Sequence, residues 1–388
     1  MPSETLQGLD RLSPEDAEYA VQAVDVLLSM AIESGASDLH LHPRSDGWEI
    51  AFRIDGVLAA SHFLPLSQSS PVTRLMVLAG LPTYRSSEPM EGRVRWESNE
   101  HQNLSMRLGV YPTVHGPRGV VRLLRRDETY HAIDSLGLPD DVQDTLTHVS
   151  EQTDGAVLLS GPAGSGKTTT MYAVLRKIAA ERPKRSVLTI EDPVESLIDS
   201  ISQSELDPTG GMTLASALRS AVRQDSEVLL VSEIRDPETA EAAFQASLTG
   251  HLVFSSLHAS DAAASLRRLV QLGVPLHAIR SGVRAIVCQR LLRKRCIECA
   301  DDTDPKCTNC LGTGYRGRVP IAQCIRLDGH DVVGEAIADA LETGGSLVAM
   351  REAEKRAGGI SLRARAERLV QSKITTMNEV YRVLGRQV

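Results

Sequence analysis

Residues 161–168 read Gly-Pro-Ala-Gly-Ser-Gly-Lys-Thr and satisfy every position of the pattern G-x-x-x-x-G-K-[ST]. Such a loop works only where a strand enters it and a helix leaves it. Gly161, Gly164 and Gly166 let the backbone curl until successive amides face one anion, with Pro162, Ala163 and Ser165 completing the cradle. Lys167 is then placed to reach the β- and γ-phosphates of a nucleotide, and the Thr168 hydroxyl to take a position on Mg²⁺, with Thr169 beside it. The flanks agree with this reading. Ala156–Ser160 is a short apolar run of the kind buried in parallel sheets. Residues 168–178 read as a helix whose positive end faces the phosphates. A chance glycine-rich turn would not carry both flanks.

Further along, strand-like runs at Val187–Ile190, Val228–Val231 and Leu252–Ser256 alternate with helical stretches near 168–180, 213–223 and 236–248. That alternation predicts an α/β fold with a parallel sheet and covering helices. Carboxylates at the C-terminal ends of such strands sit where these sheets bind ligands. Glu191 follows the second strand and Glu233 the third, so both are candidates to orient water or hold Mg²⁺, the alternative being acids that satisfy helix dipoles. His251 and His258 flank the next strand. They are candidates to sense the γ-phosphate, against the commoner case of a histidine satisfied within the core.

Residues 1–125 read as a separate α+β domain. Ser13-Pro14-Glu15-Asp16 has the form of a helix start, with apolar residues at helical spacing from Ala20 to Ala31. Asp55-Gly56 between apolar runs predicts a hairpin. Residues 126–140 form the predicted linker, and residues 141–388 the nucleotide-binding domain, with a 288–325 cysteine region and a helical 326–388 region. The chain has 388 residues, enough for two to three domains. Aromatic residues make up only 3%, so Leu, Val, Ile and Ala must fill the cores. A net charge of −8 argues against a dedicated nucleic-acid binder. The first ten residues lack the features of a signal peptide, and no apolar run has the length of a membrane span, which points to the cytoplasm.

Two Cys-x-x-Cys pairs, Cys296/Cys299 and Cys307/Cys310, are separated by seven residues. Four thiolates at this spacing predict one closed tetrahedral Zn²⁺ site of structural type. Disulfides are disfavoured in the compartment expected for the chain. Cys288 and Cys324 read as core thiols. The run Arg290-Leu-Leu-Arg-Lys-Arg295 reads as a solvated charged face, with an acidic partner or lipid headgroups as the alternative.

Taken in order, Ala36-Ser-Asp-Leu-His40 with Arg53-Ile-Asp-Gly56, the phosphate loop, residues 189–195 (Thr-Ile-Glu-Asp-Pro-Val-Glu), residues 218–225, Glu233-Ile-Arg-Asp236 and residues 249–258 resemble the ATPases of type II secretion and type IV pilus assembly. The likeness covers residues 20–388. It implies a RecA-like motor domain preceded by a PAS-like domain, and a homo-hexamer that uses Mg²⁺ and ATP to assemble pilin-like fibres. It also implies attachment to the inner membrane through a platform protein. Arg93, Arg107, Arg219, Arg223 and Arg235 match positions at which the family contacts nucleotide, which suits a planar, permanently charged guanidinium. For each, a plain surface ion pair is the alternative. The cysteine knuckle resembles that of assembly-type rather than retraction-type ATPases. Ser232 stands where the family has glycine, and Asp225-Ser-Glu227 replaces Asp-Pro-Asp. These departures leave room for a nucleotide-binding regulatory subunit with little turnover. A DNA-transfer translocase on the same core is a third reading, which the net charge disfavours.

Overall fold

A computed structural model describes residues 9, 12–67, 69–85, 87–96, 104–125, 128–206, 210–299, 304 and 307–386. Most of the first ten residues and the first two of the expected linker lie outside this set. The chain divides into two compact units, one of residues 1–126 with 295–317, the other of residues 127–294 with 318–388.

The first unit is a six-stranded sheet, antiparallel at every pairing recorded, with two helices on one face. Helix α1 (Tyr19–Glu33) is followed by β1 (Asp38–Pro43), β2 (Gly47–Ile54) and β3 (Val57–Pro65). Helix α2 (Pro71–Leu78), β4 (Met90–Val94), β5 (Leu104–Thr113) and β6 (Gly116–Arg125) complete it, in the strand order β3-β2-β1-β6-β5-β4. Alternation sorts the side chains. Leu39, Leu41, Ile50, Phe52, Leu108 and Val121 point to the core, where Val24, Leu27, Leu28, Val72 and Leu75 of the helices meet them. The expected hairpin turns at Asp55 (φ 49°) and Gly56 (φ 82°), both left-handed as a two-residue turn of this kind requires. The first helix begins later than its capping signal. Residues 13–16 instead close a turn, with Asp16 N–H donating to the Ser13 carbonyl at 3.0 Å. The Asp16 carboxylate then accepts from Glu18 N–H at 2.9 Å.

The second unit is built on a sheet ordered β13-β12-β7-β11-β10-β8-β9. Its elements run α3 (Asp140–Ser150), β7 (Gly155–Ser160), α4 (Lys167–Ala180), β8 (Val187–Glu191), β9 (Ser202–Glu205), α5 (Leu214–Ala221), β10 (Val228–Val231), α6 (Pro237–Leu248), β11 (Leu252–Leu257), α7 (Ala262–Gln271), α8 (Leu276–Gly282), β12 (Val283–Arg295) and β13 (Tyr315–Arg326). Helices α9 (Val332–Glu342), α10 (Leu347–Arg356), α11 (Leu362–Gln371) and α12 (Met377–Leu384) close the chain, as the helical pattern there predicts. Strands β7 to β12 pair in parallel. The central ones are buried on both faces, which is why they read as continuous apolar runs. Leu158, Leu229, Val231 and Val253 face α5 to α8, while Val157, Leu159, Leu230 and Phe254 face α3 and α4.

Two expectations are corrected. The run Arg290–Arg295 is part of strand β12, and Arg290 and Leu292 are buried, so it is no solvated face. The cysteine segment is grouped with the first unit rather than with the nucleotide-binding one. There Gly317 N–H donates to the Asp55 carboxylate at 2.7 Å, and Arg316 donates to the Ser34 carbonyl at 3.2 Å.

Candidate nucleotide site and metal centre

Parallel pairing aligns the C-terminal ends of β7, β8, β10 and β11 along one edge of the sheet, where open α/β sheets bind ligands. From β7 the chain enters the phosphate loop, and α4 begins at Lys167 with Thr168 and Thr169 in its first turn. The Lys167 ammonium donates to the carbonyls of Gly161 (2.8 Å) and Pro162 (3.1 Å), folding back on its own loop. Burial lowers its pKa from the usual lysine value, while the Glu233 charge acts the other way.

Glu233 is the centre of the edge. It lies two residues beyond β10 and is 9% exposed. His258 Nε2, just after β11, stands 3.0 Å from one carboxylate oxygen. Arg235 Nε donates to the other at 2.8 Å. A nearly buried carboxylate held by an imidazole and a guanidinium, and sensed electrostatically by the phosphate-loop lysine, has the parts of a water-activating centre.

The other sequence candidates are placed differently. Glu191 ends β8 but is enclosed. It accepts from Thr189 Oγ1 (2.6 Å), from Gln203 Nε2 (3.1 Å) and from the Tyr172 hydroxyl, so its oxygens are engaged in the wall of the site. Glu195, the last residue of the 189–195 motif and given no role there, is a second acid, after Glu233, whose charge acts on Lys167. His251 stands at the N-terminal end of β11, about 20 Å of strand from the site edge. There its ring meets the Ala246 carbonyl at 3.1 Å and its own carbonyl accepts from Gly155 N–H. Both contacts are with backbone at the end of the strand away from the phosphate loop. Arg219 and Arg223 are exposed on α5 and the turn after it. Arg93 and Arg107 are cross-strand partners on β4 and β5 of the first unit, Arg107 pairing with Glu91 at 2.8 Å.

The four knuckle cysteines are free thiols whose sulfurs all lie within 4.8 Å of one another. Cys296 and Cys307 are 3.8 Å apart, and Cys299 and Cys310 3.4 Å. Metal–sulfur bonds of about 2.3 Å in a tetrahedron place sulfurs about 3.8 Å apart, so this cluster fits one ion. Gly314 N–H donates to Cys310 Sγ and Asn309 Nδ2 to Cys296 Sγ, each at 3.3 Å, the outer donors a thiolate needs. Cys288 is instead a core thiol, pushed up to about 12 by burial.

A phosphate loop between strand and helix, with a poised carboxylate two strands away, defines a phosphate-loop nucleotide-binding protein. Residues 13–382 match the family described as Type II/IV secretion system protein, and the chain belongs to that family. It is 34% identical over 409 residues to the type II secretion system ATPase E of Vibrio cholerae, covering 99% of this chain and 79% of that one. It is 32% identical over 405 residues to the type IV pilus assembly ATPase TfpB of Acinetobacter baylyi, covering 98% and 68% respectively. In fold it is similar to the ATPase DotB of Legionella pneumophila, with a TM-score of 0.72 at 21% identity over 95% of this chain and 97% of that one. Among the described residues no helix is long and apolar enough to cross a membrane.

Proposed function

We propose that this chain is a motor ATPase that hydrolyses Mg²⁺-ATP to drive assembly of a pilin-like fibre, in type II secretion or type IV pilus biogenesis. The observation that carries the reading is Glu233 held between His258 and Arg235 on the edge that bears the phosphate loop. In this scheme the second unit is a RecA-like motor and the first a PAS-like domain. The amides from Gly161 to Thr168 and the Lys167 ammonium hold the phosphates, and Thr168 takes Mg²⁺. Glu233 draws the proton from the attacking water, and His258 reports the γ-phosphate to the segment that follows it. Arg93, Arg107, Arg219 and Arg223 are further phosphate contacts by resemblance to the family. The motor works as a homo-hexamer in the cytoplasm, peripheral to the inner membrane through a platform protein.

The test is the specific ATPase rate over a hundredfold range of protein concentration, with Lys167→Ala as control. A rate per chain that climbs with concentration and vanishes in the control is expected of a ring. Tight nucleotide binding with flat, near-zero turnover would replace the motor by a nucleotide-binding regulatory subunit, and stimulation by DNA would replace it by a translocase.

The metal proposed for the knuckle is Zn²⁺, closed by four thiolates and structural. Elemental analysis of reduced, chelator-free protein is expected to find about one zinc per chain, and Cys299→Ser to lose it. Hydrogen exchange in residues 307–317 should rise in the same variant. Zinc well below one per chain in the parent would remove the assignment.

A further inference from the structure

Gln289 and Arg290, consecutive on β12, are buried polar neighbours of the phosphate loop to which the chemistry above gives no part. They are 3% and 8% exposed. Among the described residues no carboxylate is recorded within ion-pair distance of Arg290, although the Asp261 charge acts on it. A guanidinium taken out of water in this way is costly unless its donors are met by the fold. They are met by backbone. Nη1 donates to the Gln289 carbonyl at 2.9 Å, and Nη2 to the carbonyls of Ala259 at 3.2 Å and Ser260 at 3.0 Å.

Ala259 and Ser260 immediately follow His258. Their segment is tied to β7 as well, since Ser160 Oγ donates to the Ala259 carbonyl at 3.3 Å. Gly161 N–H donates to the Leu257 carbonyl at 3.1 Å. The loop rests directly on the β12 pair. A methyl group on Gly161 would stand 2.6 Å from the Gln289 carbonyl oxygen and 3.0 Å from Arg290 Nη1. Gln289 holds the far end of the loop, its Oε1 accepting from Thr170 Oγ1 at 2.9 Å in the first turn of α4. One strand thus touches both ends of the phosphate loop and the segment that positions His258.

We propose that Arg290 is a positioning residue for hydrolysis, clamping the segment after His258 against the phosphate loop so that the imidazole stays on Glu233. This rests on the ATPase reading above. A planar fork of five donors can bridge carbonyls on two segments at once, whereas an ammonium is a point donor.

The test measures kcat and KM for Mg²⁺-ATP, and affinity for a fluorescent ADP analogue, in the full chain. The proteins are the parent, Arg290→Gln, Arg290→Lys, His258→Ala and the doubles. Arg290→Gln is expected to lower kcat by about 10- to 100-fold, with ADP affinity changed by less than about threefold. Added to His258→Ala, the same change should lower kcat by less than about threefold more, because the clamp acts through the imidazole. Arg290→Lys should fall between. If thermal unfolding shows that Arg290→Gln does not fold, the cycle with Arg290→Lys makes the same comparison. Multiplicative losses in the double variant, or lost ADP affinity with kcat retained, would overturn the clamp alone. A parent that binds ATP without turning it over would overturn the functional reading, and the clamp with it.

Discussion

Glu233→Gln is expected to lower ATP turnover by about 10²- to 10⁴-fold while ADP affinity stays within about threefold of the parent. The substitution keeps the shape of the side chain and one carbonyl oxygen, so the wall of the site is little disturbed. What it removes is the charge and the ability to accept a proton. The two donors that flank the carboxylate, His258 at 3.0 Å and Arg235 at 2.8 Å, would then face an amide. Lys167 would lose the anion that opposes the effect of burial on its ammonium. Single-turnover hydrolysis beside equilibrium binding separates the two quantities. A parental rate in Glu233→Gln would move the base elsewhere, with Glu195 the next carboxylate to replace.

Loss of the Glu379 carboxylate should cost the second unit about 3–5 kcal/mol, the largest effect expected on stability. Glu379 on α12 is fully buried. Arg293 of β12 grips it through Nε (3.0 Å), Nη2 (2.8 Å) and its backbone N–H (2.9 Å), while Arg382 adds Nε at 2.8 Å and Nη2 at 2.6 Å. Burial alone would raise its pKa, but the hydrogen bonds from Arg382 and Arg293 outweigh burial and bring it down to about 2. A fall from 4.5 to about 2 corresponds to about 3 kcal/mol. The sign follows from the depressed folded-state value. The stabilisation is fully present above pH 4.5 and is lost as pH falls from there through 2. Denaturant unfolding of the parent and Glu379→Gln should therefore differ strongly at pH 7 and much less at pH 3. An equal difference at both values would mean that the ionised carboxylate is not what holds α12 to β12.

Much of the nucleotide site could be read from single residues, because its chemistry is written locally. A loop of fixed spacing, an acid just past an apolar strand and a histidine just past the next need only the strand pattern to be brought together. Glu233 and His258 meet for that reason. The same rule draws His251 toward the site, yet a parallel strand has one end at the ligand edge, and His251 is at the other. Glu191 stands at the same end of its own strand as Glu233 does of β10, one residue earlier in register. What differs is the set of Tyr172, Thr189 and Gln203 around it, supplied by three different elements that no local pattern joins. The cradle under the phosphate loop is not legible in the sequence because charge masks a strand. Val283–Leu292 has the apolar content of a buried element, but Arg290 and the run that it opens, to Arg295, read as surface. The cores show the opposite case. With few aromatic residues available, aliphatic side chains fill both layers, and Phe254 and Tyr172 are among the few rings inside them.

The chain passes from one compact unit to the other at three places, after residues 126, 294 and 317. A single break in the backbone after residue 126 would therefore divide the first unit, leaving the second whole but carrying residues 295–317 of the first. The larger piece would carry the cysteine knuckle and the Gly317 N–H, while Asp55, which accepts from it, would stay on the smaller one. The seam between the units is not a point along the sequence, and a protease or an engineer looking for one would find only the first of three crossings.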